Sequence, residues 1–413
     1  MVASPPASQQ SRTTLVAFTA ASAFSFRFPN ASAAANQQGT TGRTYLTNIA
    51  AFANQALVPN PNQFRITATE TRIACLPRAD WAGHDFKGRT VGFLLGSHAL
   101  GDNVQVLLFL QAFIDRHRPA AVAVFCTGPA HDIFLTNPAV TAYPLWIERD
   151  RVAALDVVID LGALEAGHDI DLWPIDFEAS LVTAFALSPS ARYPSAARVF
   201  APKGSAAIGV FPLASSPLRT LPSRTAIALV EALTRRGQVS LCLNRNQRQG
   251  VIYRDALGPI ARSGVRVVEA FESVGALIGA IDAFDYVVMA DSGPAHLAKL
   301  FRVPGVAIYT SAPGAVLQGR FTNLARWSVP FEGRHCRAPC GLAKVRATAD
   351  GRIGCMGSLK TTLAALPNLP RAPDAKAVER LMAEPVPCVA HLAADPKPLV
   401  DFVLADLAAR STR

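Results

Sequence analysis

In residues 284–314, "FDYVVMADSGPAHLAKLFRVPGVAIYTSAPG", a strand, a tight turn, a helix and a second strand are predicted in that order. Residues 286–289 form a short apolar and β-branched run, and apolar residues recur at helical spacing over 297–301. A second apolar run over 305–309 completes a β-α-β unit. The pattern indicates a parallel sheet covered by helices.

The turn of this unit contains Asp291, Ser292, Gly293, Pro294 and His296. Ser292 or Gly293 is placed to cap the helix, and Pro294 stands where a first helical residue belongs. A strand that runs through small residues into a helix leaves backbone N–H groups without partners, and such groups bind phosphate or diphosphate. An ordinary crossover turn is the alternative, but the convergence of an acid, a hydroxyl, a glycine and a histidine favours the anion site.

Length and charge limit the class of protein. A chain of 413 residues suits two domains, and no apolar run reaches the ~18–20 residues that span a bilayer, so a soluble protein is expected. The formal net charge of +10, from 40 Lys and Arg against 30 Asp and Glu, favours a nucleotide, a phosphorylated glycan or an anionic membrane surface as partner. The basic residues are scattered and are not interleaved with aromatic ones, which argues against nucleic acid.

The cysteines and the amino terminus bear on the compartment. Cys75, Cys126 and Cys242, three of seven cysteines, lie in apolar, strand-like segments and are interpreted as buried thiols. A reducing, cytoplasmic compartment is therefore expected, with peripheral contact to a membrane as a further option. Residues 1–45 resemble a secretory signal in part, because the apolar stretch 15–26 follows an arginine, but a disordered tail is favoured.

The alternation of strands and helices runs through the chain twice, which predicts two Rossmann-like, doubly wound parallel sheets. The expected boundaries are a tail over 1–45, a first domain over 46–195, a second domain over 206–366 and an extension over 367–413 whose helix packs back on the body. The Pro-, Ser- and Ala-rich stretch 186–205 marks a hinge. Two such domains place a cleft between the carboxyl ends of their sheets.

A carboxylate is expected at the cleft side of the first domain. His98, Gly101 and Asp102 lie between a strand and an amphipathic helix, in a spacing that is neither a phosphate loop nor GxGxxG. Asp102 is interpreted either as an N-cap of the helix or as a general base that takes a proton from an acceptor hydroxyl.

In the second domain a loop after a strand presents Ser215, Ser216 and Arg219. An arginine there can neutralise a departing diphosphate by bidentate contact, although a solvated loop arginine is an equal alternative.

Two sets of residues were considered as metal ligands. Asp169 and Asp171 form a DxD triplet without further ligands nearby in sequence, which argues against a metal. Soft ligands for zinc or iron are available in Cys336, Cys340 and Cys355, with Cys388 far downstream, but these cysteines do not include a CxxC pair. Packing thiols without metal are the default expectation.

The chain resembles glycosyltransferase family 9, the ADP-heptose:lipopolysaccharide heptosyltransferases. The similarity is found in "ALGDNVQVLLFLQAF" at 99–113, in 284–314, and in the cysteine-bearing "APCGLAKV" and "IGCM" near 338–356. The resemblance covers roughly residues 88–360. It implies a GT-B fold, two Rossmann-like domains facing across a cleft, and inverting transfer from an ADP-activated heptose without a metal or other cofactor.

The resemblance also implies roles for individual residues. Asp102 matches the aspartate that members use as base, and Asp291, Ser292, Gly293 and His296 match the segment that holds the ADP-sugar. Arg219 falls where members carry a lysine that contacts the donor phosphates. Two departures bear on the nucleotide. The loop 219–222 is Arg-Thr-Leu-Pro in place of a Lys-Arg-Trp-Pro-like sequence, and an acidic residue for the donor ribose is not evident in 241–250.

The sequence thus predicts a glycosyltransferase that moves a sugar, heptose from ADP-heptose in the first instance, to a hydroxyl of a lipopolysaccharide core or related glycan. A transferase or epimerase that uses another nucleotide-sugar, or a protein as acceptor, is the enzymatic alternative. A GT-B-like protein that binds nucleotide-sugar without turnover is the non-enzymatic one.

Overall fold

The computed structural model describes residues 11–26, 37–47, 57, 60–95, 99–126, 130–144, 146–165, 175–190, 198–202, 204–243, 248–257, 265–348, 350–366 and 375–411. They fall into two compact units. Unit 1 comprises Met1–Gly167, Phe177–Ala191 and Glu272–Ala276, and unit 2 comprises His168–Asp176, Arg192–Phe271 and Leu277–Arg413.

Unit 1 contains two main sheets. Its strands are β1 (Ser11–Ala20), β2 (Phe24–Phe26), β3 (Gln37–Gly39), β4 (Thr44–Thr47), β5 (Phe64–Cys75), β6 (Thr90–Leu94), β7 (Ala121–Phe125), β8 (Val140–Tyr143), β9 (Ile147–Glu148) and β10 (Val157–Asp160). Its helices are α1 (Leu100–His117), α2 (His131–Phe134), α3 (Arg149–Ala153), α4 (Gly162–Glu165) and α5 (Phe177–Ala184). One sheet is antiparallel, in the order β5-β1-β4-β9, and the other is parallel, in the order β10-β6-β7-β8.

The antiparallel sheet corrects the expectation of a disordered or targeting tail over residues 1–45, as far as those residues are described. β1 pairs with β4 and β5 along most of its length, so the apolar stretch that resembled a signal is buried in a sheet. The sheet is packed around an aromatic cluster of Phe18, Phe24, Tyr45, Phe64 and Trp146. Such rings in tilted and edge-to-face contact stabilise a small core.

Unit 2 is built on one parallel sheet. Its strands are β11 (Ala206–Phe211), β12 (Gly237–Cys242), β13 (Arg266–Val268), β14 (Tyr286–Ala290), β15 (Gly305–Tyr309), β16 (Leu324–Ser328), β17 (Arg346–Ala347) and β18 (Ile353–Gly354). Its helices are α6 (Ser223–Leu233), α7 (Arg248–Ala256), α8 (Val274–Ala283, from 277 onward), α9 (Gly293–Leu300), α10 (Gly314–Gln318), α11 (Met356–Leu359), α12 (Ala375–Ala383), α13 (Pro387–Ala394) and α14 (Lys397–Ser411).

The order of the six parallel strands, β13-β12-β11-β14-β15-β16, is the strand order of a Rossmann-type sheet. The chain leaves β11 toward one edge and returns at β14 to build the other, so the order reverses between these two strands. Every residue of β14 and β15 is buried, as expected for central strands with helices on both faces. The predicted α/β class, with two Rossmann-like parallel sheets, is confirmed.

The helix α14 closes the sheet of unit 2 at the end of the described chain. Leu399, Val403 and Leu407, spaced by four residues, are buried in the core. The Tyr286 hydroxyl in β14 donates to Oδ2 of Asp406 at 2.8 Å, so α14 is bonded to a central strand. Among the described residues, no helix is long and apolar enough to cross a bilayer.

Candidate functional site

The turn after β14 has the predicted geometry apart from its proline and its cap. Ser292 is the N-cap of α9, as predicted, and Pro294 is the second helical residue instead of the first. The Ser292 hydroxyl does not cap the helix, because it donates back to the carbonyl of Ala290 at 3.1 Å. The first turn of α9 therefore receives no hydrogen bond from its N-cap side chain, which leaves the helix N-terminus suited to an external anion.

The loop after β11 meets this turn through Arg219. One terminal nitrogen of Arg219, Nη1, lies 3.3 Å from both Oδ2 and the backbone carbonyl of Asp291, and Nη2 donates to Oγ of Ser215 at 3.0 Å. The Asp291 side chain is 2% exposed and that of Arg219 is 14% exposed. Within the described chain the buried Nε of Arg219 has no hydrogen-bond partner. The guanidinium thus holds a buried carboxylate and retains unused donor capacity.

Ser216 shapes this loop. Its Oγ accepts a hydrogen bond from the N–H of Leu218, and its carbonyl accepts from the N–H groups of Arg219 and Thr220. The Thr220 hydroxyl also lies 3.2 Å from that carbonyl, within the same buried turn. Ser216 therefore orients Arg219 through the backbone, whereas Ser215 contacts it directly.

His296 and Lys299 form a second pair, one helical turn apart on α9. Lys299 Nζ lies 3.2 Å from Nδ1 of His296, and it also contacts the carbonyl of Leu317. The ammonium lies 6.0 Å from the centre of the Phe321 ring. Burial, the charge of Lys299 and the charge of Arg219 hold the pKa of His296 well below its ordinary value, so this imidazole is neutral at pH 7. Lys299 was not predicted as a site residue, although its spacing of three from His296 is the signal that such a pair gives.

These residues lie at the carboxyl ends of β11 and β14, where the strand order of the sheet reverses. In doubly wound sheets, ligands bind in the crevice outside the carboxyl ends at this point. The topology therefore brings five predicted site residues together at the point where a ligand site is expected, namely Ser215, Arg219, Asp291, Ser292 and His296.

Unit 1 contains the other predicted residues. Asp102 is the third residue of α1 and Ala99 is the N-cap, so the N-cap interpretation of Asp102 is wrong. The neighbouring Gly101 is buried, and His98 lies outside the described residues. Asp102 is placed in the first turn of a helix that follows the first parallel strand of its unit, β6.

The tetrapeptide Gly-Pro-Ala-His occurs a second time in the chain, at 128–131. Its last residue, His131, begins α2, which follows β7 along the chain, whereas the strand order of this sheet reverses between β6 and β10. Cys126 stands in place of Asp291, and Phe134 in place of Lys299. The copy at 128–131 thus lacks the counterparts of Asp291 and Lys299, and it does not follow either of the two strands between which the order of its sheet reverses.

Four cysteines of unit 2 line one small cavity of about 10 Å3, namely Cys336, Cys340, Cys355 and Cys388. Burial and the neighbouring thiols raise the pKa of Cys388 to about 12. Burial and the neighbouring Cys355 thiol raise the pKa of Cys336 and Cys340 as well, and hydrogen bonds from the backbone N–H groups of Gly357 and Leu342 offset only part of that rise. In the described part of the chain, no three potential ligand side chains are gathered closely enough to form a ready metal site. The DxD triplet at 169–171 lies outside the described residues.

The sheet order defines unit 2 as a Rossmann-type domain, and the charged turn lies at the reversal point of its sheet. Residues 165–323 match the family model described as "Glycosyltransferase family 9 (heptosyltransferase)". The resemblance predicted from the sequence is confirmed over this segment.

Several solved structures are similar to the chain. ADP-heptose lps heptosyltransferase II of E. coli is 18% identical, over 58% of this chain and 90% of that one, with a TM-score of 0.45. A family 9 glycosyl transferase of Veillonella parvula is 13% identical, over 61% and 88%, with a TM-score of 0.46. The iron-containing dodecameric glycosyltransferase TibC of enterotoxigenic E. coli is 13% identical, over 81% and 87%, with a TM-score of 0.42. At these TM-scores the similarities add nothing to the family assignment. No curated protein matches the chain.

Proposed function

We propose that the protein transfers heptose from a nucleoside diphosphate heptose, ADP-heptose in the first instance, to a hydroxyl of an anionic glycan such as a lipopolysaccharide core. The family match gives the reaction class, and the net charge of +10 favours an anionic acceptor. The two parallel-sheet units correspond to the two domains of a GT-B enzyme, with the donor held by unit 2.

The observation that supports this proposal most is the charge cluster at the reversal point of the unit 2 sheet. Arg219 and Lys299 are the cationic side chains of this cluster, His296 is neutral, and the buried Nε of Arg219 has no hydrogen-bond partner among the described residues. Cationic donors beside a helix N-terminus that its N-cap side chain leaves uncapped suit a diphosphate, both when the donor binds and when the diphosphate leaves. Arg219, Ser292, Gly293 and His296 are the proposed contacts.

Asp102 is the proposed general base. As an inverting transferase the enzyme would need one carboxylate to take the acceptor proton while the anomeric carbon is attacked from the face opposite the diphosphate. No metal has a step in this scheme, because the cationic side chains and the helix N-terminus supply the stabilising charge.

The four cysteines are proposed to hold a structural iron or zinc ion. Four soft thiolate ligands suit either metal, and the cavity is of the size of a single ion. Side-chain rotations would have to bring the sulfurs to ligand distance, because the described residues form no ready group of ligands. This site is separate from the transfer chemistry.

A nucleotide screen tests the donor assignment. The full-length protein would be titrated with ADP, UDP, GDP and ADP-heptose, and ligand-dependent stabilisation would be followed by thermal unfolding. We expect ADP and ADP-heptose to raise the unfolding temperature with a logarithmic dependence on concentration above Kd. If UDP alone stabilised the protein, the donor would be assigned as a uridine nucleotide-sugar instead of an ADP-sugar. If none of the nucleotides stabilised it, the proposed nucleotide-sugar site in unit 2 would be contradicted.

A further inference from the structure

The contact between Lys299 and His296 constrains which nitrogen of the imidazole carries a proton. An ammonium group has donors and no acceptor, so the Nδ1 atom 3.2 Å from Lys299 Nζ must be the acceptor. A neutral imidazole that accepts at Nδ1 is protonated at Nε2. The Leu317 carbonyl accepts from Lys299 Nζ, and the face of the Phe321 ring also lies within cation–π distance of it.

We propose that Lys299 is a positioning residue that holds His296 as a neutral ring with its proton on Nε2, so that His296 donates a hydrogen bond to the diphosphate of the donor. This inference rests on the proposed function for its ligand. The contact between Lys299 and His296 does not depend on the proposed function.

The state of the ring matters because the ligand is an anion. A diphosphate oxygen accepts hydrogen bonds only, so the opposite tautomer would present a lone pair to it and repel it. Nε2 makes no hydrogen bond to a described residue, which leaves it available to an incoming group. Lys299 is 2% exposed and His296 is 7% exposed, so water does not compete freely for either nitrogen.

The charged groups that face His296 are Lys299 on its own helix and Arg219 from the loop after β11, and both lower the pKa of the ring. Removing Lys299 therefore raises that pKa and frees the tautomer. The ring would then take up a proton at a higher pH than in the unsubstituted protein, while burial and Arg219 still hold its pKa below the ordinary value, and a protonated ring donates from both nitrogens.

The test uses the full-length protein with 15N-labelled histidine, with the His296 signals assigned through His296→Gln. In the unsubstituted protein we expect the nitrogen shifts of an Nε2-protonated ring that does not titrate between pH 6 and 8. In Lys299→Met we expect a mixture of tautomers that titrates. His131, which follows the other Gly-Pro-Ala and has Phe134 in the place of Lys299, is an internal reference whose signals stay unchanged.

ADP binding by calorimetry supplies the functional readout. We expect Lys299→Met to weaken ADP binding roughly ten- to a hundredfold at pH 8 and to recover part of that loss at pH 6, whereas the unsubstituted protein changes little through His296. A side chain that merely supported the fold would give a loss independent of pH. Lys299→Gln, whose amide can still donate to Nδ1, should retain the tautomer without the charge, and it replaces Lys299→Met if that variant does not fold.

A His296 ring protonated at Nδ1, or charged at pH 7 in the unsubstituted protein, overturns the proposal without any variant. Unchanged His296 titration in Lys299→Met overturns it equally. If the spectra behave as expected but neither ADP, UDP nor GDP binds, the proposed function fails, while the control of His296 by Lys299 stands.

Discussion

Arg219 contacts Asp291 at two points, the Oδ2 atom and the backbone carbonyl, each 3.3 Å from the same Nη1. These contacts join the loops after β11 and β14, the two strands between which the sheet order reverses. Both distances are slightly longer than a strong charge-assisted hydrogen bond. The guanidinium is therefore held in place and is still able to turn toward a second anion.

Mutation can separate the proposed contribution of Arg219 to ADP binding from its contribution to the stability of the fold. Arg219→Met should weaken ADP binding roughly ten- to a hundredfold, and it should also destabilise the protein by roughly 3 kcal/mol, because Asp291 is left as a buried, uncompensated carboxylate. The double variant Arg219→Met, Asp291→Asn should regain most of the stability and none of the affinity. Urea unfolding and calorimetry measure the two quantities. Recovery of ADP binding in the double variant would exclude Arg219 as a phosphate contact.

Asp102→Asn should reduce acceptor-dependent release of ADP by roughly 10²- to 10⁴-fold and leave ADP-heptose binding unchanged, because the amide cannot take a proton. Asp150→Asn is the matched control, since that carboxylate also lies in unit 1 and is largely exposed. ADP release is followed with and without acceptor glycan. Equal turnover in Asp102→Asn and Asp150→Asn would show that another group accepts the proton.

The cysteine cavity predicts bound metal. Elemental analysis of the purified protein should find about one iron or zinc per chain, and Cys388→Ser should lower that content and the unfolding temperature. Because the pKa of the Cys388 thiol without metal is about 12, binding must displace a proton, and affinity should fall as the pH is lowered. Cys242→Ser, a buried thiol outside the cavity, should retain the metal. Metal-free protein of full stability would leave the four cysteines as packing thiols.

Two glycines should respond to alanine in opposite directions. A Cβ at Gly305, where β15 begins, would stand 2.0 Å from the carbonyl oxygen of Val287, so Gly305→Ala should destabilise the protein by about 3 kcal/mol. A Cβ at Gly279, exposed within α8, would meet nothing within 4 Å, so Gly279→Ala should stabilise it by about 0.5–1 kcal/mol. Denaturant unfolding of both variants measures the difference, and equal effects would contradict the close strand pairing at Gly305.

The sequence was most informative where a local pattern and the sheet topology agree. The strands predicted over 286–289 and 305–309 are β14 and β15, and the apolar spacing between them is α9. Each of these elements is recognisable from residues that are neighbours in the chain.

Other features depend on contacts that are distant in the chain. β1 was mistaken for a disordered or targeting segment because only its pairing with β4 and β5 distinguishes it from an isolated apolar run. Lys299 is a lysine in a short helix, which predicts a solvated side chain unless Leu317 and Phe321 are known to surround it. The hydroxyl of Ser292 was expected to cap α9, but a backbone carbonyl two residues earlier competes for its proton.

The attachment of α14 to the sheet has a practical consequence for delimiting the domain. The segment that matches the family ends at residue 323, one residue before β16 and well before the helix whose Asp406 binds Tyr286. A polypeptide trimmed to that match would expose the edge of β15 and the apolar face that Leu399, Val403 and Leu407 cover. The unit that folds is therefore longer than the unit that is recognised, and expression of unit 2 should extend to at least residue 411.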